Sequence, residues 1–458
     1  MNLTQLRKQA KELVRAARAG DEKALERLGG REAILARAQL VLAREHGYAS
    51  WPALVASVEG GVDAFVLAAT GGRRDRAEAM LAARPEIGRD RWARLVLGRD
   101  WEGDVRRPGG PRNWAPLLYV CHSVFASAEL ARELLARGAD PNACFVNEYG
   151  RMSALYGAAG VVHDPELTGV LLEAGADPDD GESLYHATEA ESPECLRLLL
   201  EHGASPGGTN ALAHALDEER LEHVRLLLES GADPNEGAFL AHAVRRERGA
   251  EFLRLLAQHG AHLNRPGGET WRGDVPLRTP YQHAVLRGRS DQAEALVELG
   301  AETEIDPSDV AVAAVARGEA PATSLPDQLD PDAQEVLILA ALRGQLGLVV
   351  DLLGPDFRGV VGGSPEGTLL HHAAWVGNPA LVAELLRRGA DPDVRASAGF
   401  DSPLGWAALA SRYHELPGRD YVAVAELLVA AGNRPEARFL DVAKGPLYDW
   451  LEALEGRS

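Results

Sequence analysis

The sequence predicts an all-α solenoid in which helix-turn-helix repeats stack on one another along the chain. A short phrase, Gly-Ala-Asp-Pro followed by Asn or Asp, recurs through the 458 residues, and a Leu-rich apolar run precedes each copy. An Ala-rich helical pattern lies upstream of that run. Recurrence of one phrase in this way is the signature of stacked repeats, so the chain need not divide into separate globular domains.

Glycine opens each copy of the phrase. The clear copies begin at Gly138, Gly175, Gly231 and Gly389, and the weaker copies begin at Gly203, Gly260, Gly300, Gly354 and Gly432. A glycine here can take the left-handed conformation that closes a helix, and the Asp-Pro pair sets a turn toward the next repeat. Because the spacing of the glycines is uneven, we expect some long turns and a degenerate repeat near 306–330.

The repeat at 368–393 shows both halves of the pattern. Thr368 suits the start of the first helix because its hydroxyl can accept from the free amides there. Ala373 and Ala374 leave room for a neighbouring helix, and Gly377 ends the first helix. This pattern resembles the ankyrin repeat, which begins T-P-L-H-x-A and has a period near 33 residues.

The resemblance covers 61–436 and implies about ten or eleven ankyrin repeats with β-turn fingers. It implies a binding or scaffold protein that holds a protein or peptide in a concave groove and with its fingers. In the family, the histidine of the start sequence helps to tie adjacent repeats together. Most repeats of this chain have another residue in that position, so this role is in doubt for them.

Neither end of the chain contains the phrase. Residues 1–60 have the pattern of amphipathic helices, with Leu3, Leu6 and Leu13 on one face of the first. They resemble a helical segment that precedes the repeats in some bacterial ankyrin-type proteins, and we expect them to cap the first repeat. Residues 437–458 are expected to form one or two closing helices.

Composition limits the function classes. A net charge of −20 argues against a nucleic-acid partner, since such proteins need basic surface. Three scattered cysteines favour a reducing compartment. We find no signal sequence and no 18-residue apolar run, so we expect a cytoplasmic protein with no membrane partner. Nothing in the sequence indicates an oligomeric state.

Catalytic signatures are missing from the sequence. It contains no G-x-S-x-G, Walker, H-E-x-x-H or dinucleotide-binding glycine pattern. We therefore expect no cofactor and no metal site, and the sequence gives no positive evidence of an enzyme.

The first helix of each repeat has positions that point away from the second helix and should line the groove. Histidine is frequent there, one position after the family's usual histidine. The candidate groove residues are Tyr119, His122, His186, Glu189, His214, Asp217, His242, Arg245, Arg246, His283, Arg287, His372, Trp375 and Trp406.

Three interpretations of these positions remain open. They form a recognition groove, or imidazole simply fills a crowded inner surface, or the groove takes a small molecule. In the last case His186 or His214 would act as a general base beside the carboxylate three residues later. An ordinary histidine pKa near 6.5 would make binding depend on pH. A ladder of metal ions is disfavoured because neighbouring helices lie about 8–10 Å apart.

Two fingers share an R-P-G-G turn followed by tryptophan and arginine. Their candidate binding residues are Arg107, Arg112 and Trp114 in one finger and Arg265, Trp271 and Arg272 in the other. Exposed Trp and Arg are enriched at binding hot spots. The alternative is that each Trp packs on its own repeat.

Overall fold

Stacked helix pairs make up most of this computed structural model, which is 60% helix and 4% strand. It describes residues 3–28, 35–46, 51, 54–55, 61–268, 277–322, 329–362, 366–396, 401–412, 418–436 and 438–455. The chain divides into an N-terminal unit, Met1–Gly237, and a C-terminal unit, Ala238–Ser458. The predicted all-α repeat fold is confirmed.

The N-terminal unit opens with the helices Leu3–Arg18, Glu22–Arg27 and Leu35–Glu45, which bury Leu13 and Leu42 against one another. A lone helix, Arg91–Val96, follows a 3-10 turn at Pro85–Arg89. The helix pairs are Val62–Ala69 with Arg74–Ala83, Pro116–Cys121 with Ala128–Ala136, Ala154–Tyr156 with Pro165–Glu173, Ser183–His186 with Glu194–Glu201, and Ala211–Asp217 with Leu221–Glu229. A π-turn, Gly157–Val162, and a 3-10 turn, Ala187–Glu189, extend two of the first helices.

One antiparallel hairpin lies in this unit. Its strands are Cys144–Asn147 and Gly150–Ser153, with Phe145 opposite Met152. The hairpin is the finger that leads into the helix Ala154–Tyr156.

The C-terminal unit has the same plan. Its helix pairs are Phe239–Arg245 with Ala250–Gln258, Pro280–Leu286 with Ser290–Leu299, Pro331–Ala340 with Leu346–Leu353, Leu369–Trp375 with Pro379–Arg387, and Pro403–Ala410 with Tyr421–Ala430. The turns Ala341–Gln345 and Gly354–Gly359 and a short hairpin of Val361–Gly362 with Gly367–Thr368 connect them. The helices Phe439–Val442 and Gly445–Glu455 close the unit, and Phe439 and Leu447 are buried in its core.

A buried ionic cluster contacts the stretch near 306–330, where we expected a degenerate repeat. In its described part this stretch forms the helix Pro307–Ala316. The side chain of Arg278 is 7% exposed and lies 2.9 Å from Asp309, 2.6 Å from Asp330 and 3.5 Å from Asp332. Removing one partner of such a cluster would leave a buried charge without compensation. The cluster therefore fixes the stretch that lacks the repeat phrase.

The phrase Gly-Ala acts by closing the second helix. Gly231 has a φ of 97°, its N–H donates to the Leu228 carbonyl, and the N–H of Ala232 donates to the Leu227 carbonyl. This is the Schellman arrangement, in which a left-handed residue satisfies the last free carbonyls. The same two bonds recur at Gly138, Gly175, Gly203, Gly260, Gly300 and Gly389.

The last residue of the phrase joins neighbouring turns. The Asn142 amide donates to the Gly175 carbonyl at 3.1 Å and accepts from the Asp177 N–H at 2.8 Å. Asn264 accepts from the Glu302 N–H at 2.8 Å in the same way. Stacking is thus reinforced by hydrogen bonds from one turn to the next.

One apolar stretch was not anticipated from the sequence. Among the described residues, the stretch Pro331–Gly359 is long and apolar enough to cross a membrane. This statement rests on its length and composition only. The expectation that no such run exists is therefore wrong. Gly344, with a φ of 99°, interrupts the stretch, which folds as the two helices of one repeat with Leu337 and Val349 buried.

We predict opposite effects for two glycine-to-alanine substitutions. Gly231→Ala should lower the free energy of unfolding by about 1–2 kcal/mol, because a Cβ there meets no atom within 4 Å and only the left-handed backbone is penalised. Gly169→Ala, inside the helix Pro165–Glu173, should raise it by about 0.5–1 kcal/mol. Denaturant unfolding of both variants measures this, and equal stability of Gly231→Ala and wild type would contradict the closure described above.

Candidate functional site

The finger at 106–114 packs down on its own repeat. Tyr119 is fully buried, and its hydroxyl donates to the Gly109 carbonyl at 2.8 Å and accepts from the Arg112 N–H at 2.9 Å. Trp114 is only 7% exposed and stacks on Phe145 at 4.2 Å between ring centroids. The expectation that Tyr119 lies on the open face is wrong, because the finger covers it. For Trp114, the alternative that the finger tryptophan packs on its own repeat is the better interpretation, since its ring lies against Tyr119 and His122.

The other predicted finger residues are placed differently. Arg107 and Arg265 are exposed, whereas Arg112 is half-buried and lies 4.8 Å from the Trp114 ring. Trp271 and Arg272 lie outside the described residues.

Three of the candidate histidines hold the backbone of a finger. Each donates from its Nε2 to a carbonyl at 2.7–3.0 Å. The pairs are His122 with Ser153, His283 with Gly267, and His372 with Gly362. Because a carbonyl oxygen can only accept, Nε2 carries the proton in all three.

Burial keeps these histidines neutral. It lowers the pKa of His122 to about 4 and that of His283 to about 3, and it lowers the pKa of His372 as well. For His283 the expectation of an ordinary pKa near 6.5 is wrong, because the charged form would lose its hydration. For all three histidines, the interpretation of histidine as an inner-surface residue is the better one.

The C-terminal unit also buries two other candidates. Trp406 is 3% exposed, in contact with the His371, His372 and Trp375 rings. Arg287 is 6% exposed, and burial lowers its pKa, an effect that nearby Glu335 and Asp332 oppose. The expectation that Trp406 and Arg287 lie on the open face is wrong, because neighbouring side chains cover them.

The remaining candidates of this unit are at least partly accessible. His242, Arg245 and Trp375 are half-buried, and Arg246 is exposed.

Ring contacts join adjacent repeats at three places among the described residues. The residue in the usual histidine position of one repeat contacts the following position of the next repeat. The ring centroids are 5.1 Å apart for Tyr156 and His186, 4.1 Å for Tyr185 and His214, and 5.1 Å for His371 and Trp406. The two positions therefore form ring pairs that join adjacent repeats.

His371, which occupies the family position, ties its repeat to the next. Its Nδ1 accepts from the Thr368 N–H at 3.1 Å, and its Nε2 donates to the Asp401 carbonyl at 2.9 Å.

In the N-terminal unit the ring pairs stay partly open. Tyr156, Tyr185, His186 and His214 are half-buried, and we call these four rings the ring stack. Tyr185 and His214 are close to parallel, with 23° between their planes, while Tyr185 and His186 meet edge to face at 5.0 Å.

Both nitrogens of His186 are next to carboxylates. Nδ1 lies 2.7 Å from Glu189 and Nε2 lies 3.4 Å from Glu182. The Thr188 hydroxyl gives its one proton to the Tyr185 carbonyl at 2.7 Å, so it accepts from Nδ1 of His214 at 2.8 Å. These bonds orient the two imidazoles.

Carboxylates surround the ring stack. Burial raises the pKa of Tyr185, and four carboxylates raise it further: Glu189, Asp217, Glu182 and Glu218. Burial together with Glu182 and Glu189 raises the pKa of Tyr156. Among the described residues, no group of three or more His, Cys, Asp and Glu side chains is arranged to hold a metal ion.

Sequence reasoning missed two features of this region. Tyr185, one of the residues that replace the family's histidine, was not among the candidate site residues, although an aromatic residue in that position was a usable signal. The tip of the hairpin was not considered, yet Tyr149 is 79% and Val146 is 74% exposed.

The comparisons with known proteins find one family. The description "Ankyrin repeats (3 copies)" matches residues 155–238, and "Ankyrin repeat" matches 367–397. No curated protein matches.

Solved structures that resemble the chain are ankyrin repeat domains. The human ASB11 domain is 22% identical, and the match covers 52% of this chain and 98% of that one with a TM-score of 0.36. The domain of Bcl-3 is 23% identical, and the match covers 52% of this chain and 99% of that one with a TM-score of 0.34. A domain from Acinetobacter baumannii AYE is 26% identical, and the match covers 41% of this chain and 98% of that one with a TM-score of 0.35. Because these TM-scores are below 0.5, the similarity to ankyrin repeats rests on the two family matches, which together cover about a quarter of the chain.

We predict that His283 makes stability fall in acid. In the unfolded chain its pKa returns to about 6.5, so below that pH only the unfolded state binds the proton. Stability is therefore lost as the pH drops from about 6.5 toward the folded pKa of about 3. When the pH falls from 7 to 4.5, the free energy of unfolding of wild type should therefore decrease by about 2–3 kcal/mol more than that of His283→Gln.

Denaturant unfolding at several pH values measures this difference. His202→Gln, at an exposed histidine, is the control and should follow wild type. The same acid loss in His283→Gln as in wild type would contradict the burial of His283.

Proposed function

We propose, from the premise that this chain is an ankyrin-repeat protein, that its N-terminal unit holds a protein or peptide partner. Ankyrin repeats are generally protein-protein interaction modules. The surface we assign to the partner consists of the ring stack and the tip of the hairpin. A cytoplasmic location belongs to the proposal, and the free state of Cys121, Cys144 and Cys195 is consistent with it.

The observation that carries the proposal is the exposure of large rings and apolar side chains on this surface. Tyr149 and Val146 are the most exposed large hydrophobic residues among those described. Tyrosine contributes large contact area at low entropic cost, and it is enriched where binding energy concentrates.

The groove residues predicted from the sequence belong to the proposal only in part. His186, Glu189, His214 and Asp217 lie at the ring stack. A catalytic use of His186 is less well supported, because each of its ring nitrogens already faces a carboxylate.

We predict that a photo-crosslinking amino acid on this surface captures a partner and that the same amino acid on the second helices does not. A photo-crosslinking amino acid placed at Tyr149 or Val146 should form a covalent adduct with a defined protein in native lysate. The matched control is the same amino acid at Glu201 or Glu229, which are exposed at the ends of second helices. Mass spectrometry identifies the adducts.

Adducts of equal yield from the control positions, or from those positions alone, would overturn the assignment of the surface.

A further inference from the structure

The ring stack has the features of a site for a planar cation. Its four rings come from the first helices of three consecutive repeats, and each is half-buried, so part of every ring remains accessible. The faces of aromatic rings carry partial negative charge and attract cations. Tyr185 and His214 are held in place by their own contacts, which lowers the entropic cost of binding.

The charges that act most strongly on the two tyrosines have one sign. The four charged groups that act most strongly on Tyr185 are all carboxylates. Glu189 and Glu218 are exposed, while Glu182 and Asp217 are half-buried. An approaching cation would therefore meet rings and carboxylates at the same place, and this complementarity favours a basic ligand over an acidic or an apolar one.

Two glycines allow the rings to approach. A Cβ at Gly160 would lie 2.7 Å from the His186 Cβ and 2.9 Å from the Tyr156 ring. A Cβ at Gly157 would lie 2.6 Å from the His122 ring. The π-turn Gly157–Val162 thus has room for the aromatic side chains on both sides.

We propose that the ring stack and its four carboxylates bind an arginine side chain of a basic segment in the partner. This inference rests on the proposed function and adds the chemistry of the ligand. A guanidinium is planar, so it can lie against Tyr185 or Tyr156 while its N–H groups donate to carboxylates such as Glu189 and Glu218. A lysine ammonium is a strongly hydrated point charge and uses the rings less well.

The test uses the full chain and an acetylated, amidated tetra-arginine peptide as the probe, with isothermal titration calorimetry at low and moderate salt. Tetra-arginine should bind, more weakly at higher salt. Tetra-lysine should bind several-fold more weakly, and tetra-citrulline, which has similar shape without charge, should show no binding.

Two variants at the site should weaken tetra-arginine binding by roughly fivefold or more each. They are Tyr185→Leu, which removes a ring, and Glu218→Gln, which removes an exposed charge. Glu229→Gln removes one charge from the second helix of the same repeat as Glu218 and should leave binding unchanged. Because Glu218 is exposed, Glu218→Gln should leave the fold intact. It therefore tests the site even if Tyr185→Leu does not fold.

Three results would overturn the inference: no binding of tetra-arginine, equal binding of tetra-lysine, or equal weakening by Glu218→Gln and Glu229→Gln. The last two would indicate diffuse attraction to an acidic protein. If tetra-arginine fails while crosslinking from Tyr149 succeeds, the inference is wrong and the proposed function stands.

Discussion

Left-handed backbone at the ends of the helices is the constraint on which the repeats depend. The second helices end on glycines such as Gly231, with a φ of 97°, and several first helices end in the same way, as at Gly377, with a φ of 62°. Because this closure turns the chain by a fixed angle at the end of a helix, the apolar faces of neighbouring helix pairs meet. A single helix pair cannot bury its apolar face, and its stability comes from its neighbours.

Two first helices end on glutamate instead of glycine, at Glu219 and Glu247, with φ values of 58° and 57°. A non-glycine residue in this conformation is strained, and such residues persist only where their surroundings compensate. Glu247 is held by hydrogen bonds from Arg289 at 2.9 Å and from Arg343 at 2.8 Å. Strain at this position is therefore offset by an ion-pair network.

The sequence was sufficient for the fold because the repeat phrase carries backbone functions. Glycine closes a helix, the N–H of the alanine after it donates to a carbonyl of the same helix, and Asn142 joins two turns, so these three residues of the phrase are explained by local geometry. His186 and His214, which the sequence places in the groove, are half-buried, so part of each remains accessible.

Burial could not be predicted in the same way, because it depends on where the fingers run. Tyr119 and His283 were expected on the open face, but the backbone of the finger that precedes each helix covers them. Tyr185 was within reach of sequence reasoning, since an aromatic ring replaced histidine there. Its stacking on His214 needed knowledge of the spacing between repeats.

The central claim is that the ring stack and its four carboxylates bind an arginine side chain, and carboxyl footprinting tests it most directly. The full chain is labelled with a carbodiimide and an amine, with and without saturating tetra-arginine peptide, and labelling is read by mass spectrometry. The account predicts reduced labelling of Glu182, Glu189, Asp217 and Glu218, with Glu201 and Glu229 unchanged. Equal protection of all six carboxylates, or protection of Glu201 and Glu229 alone, would contradict it.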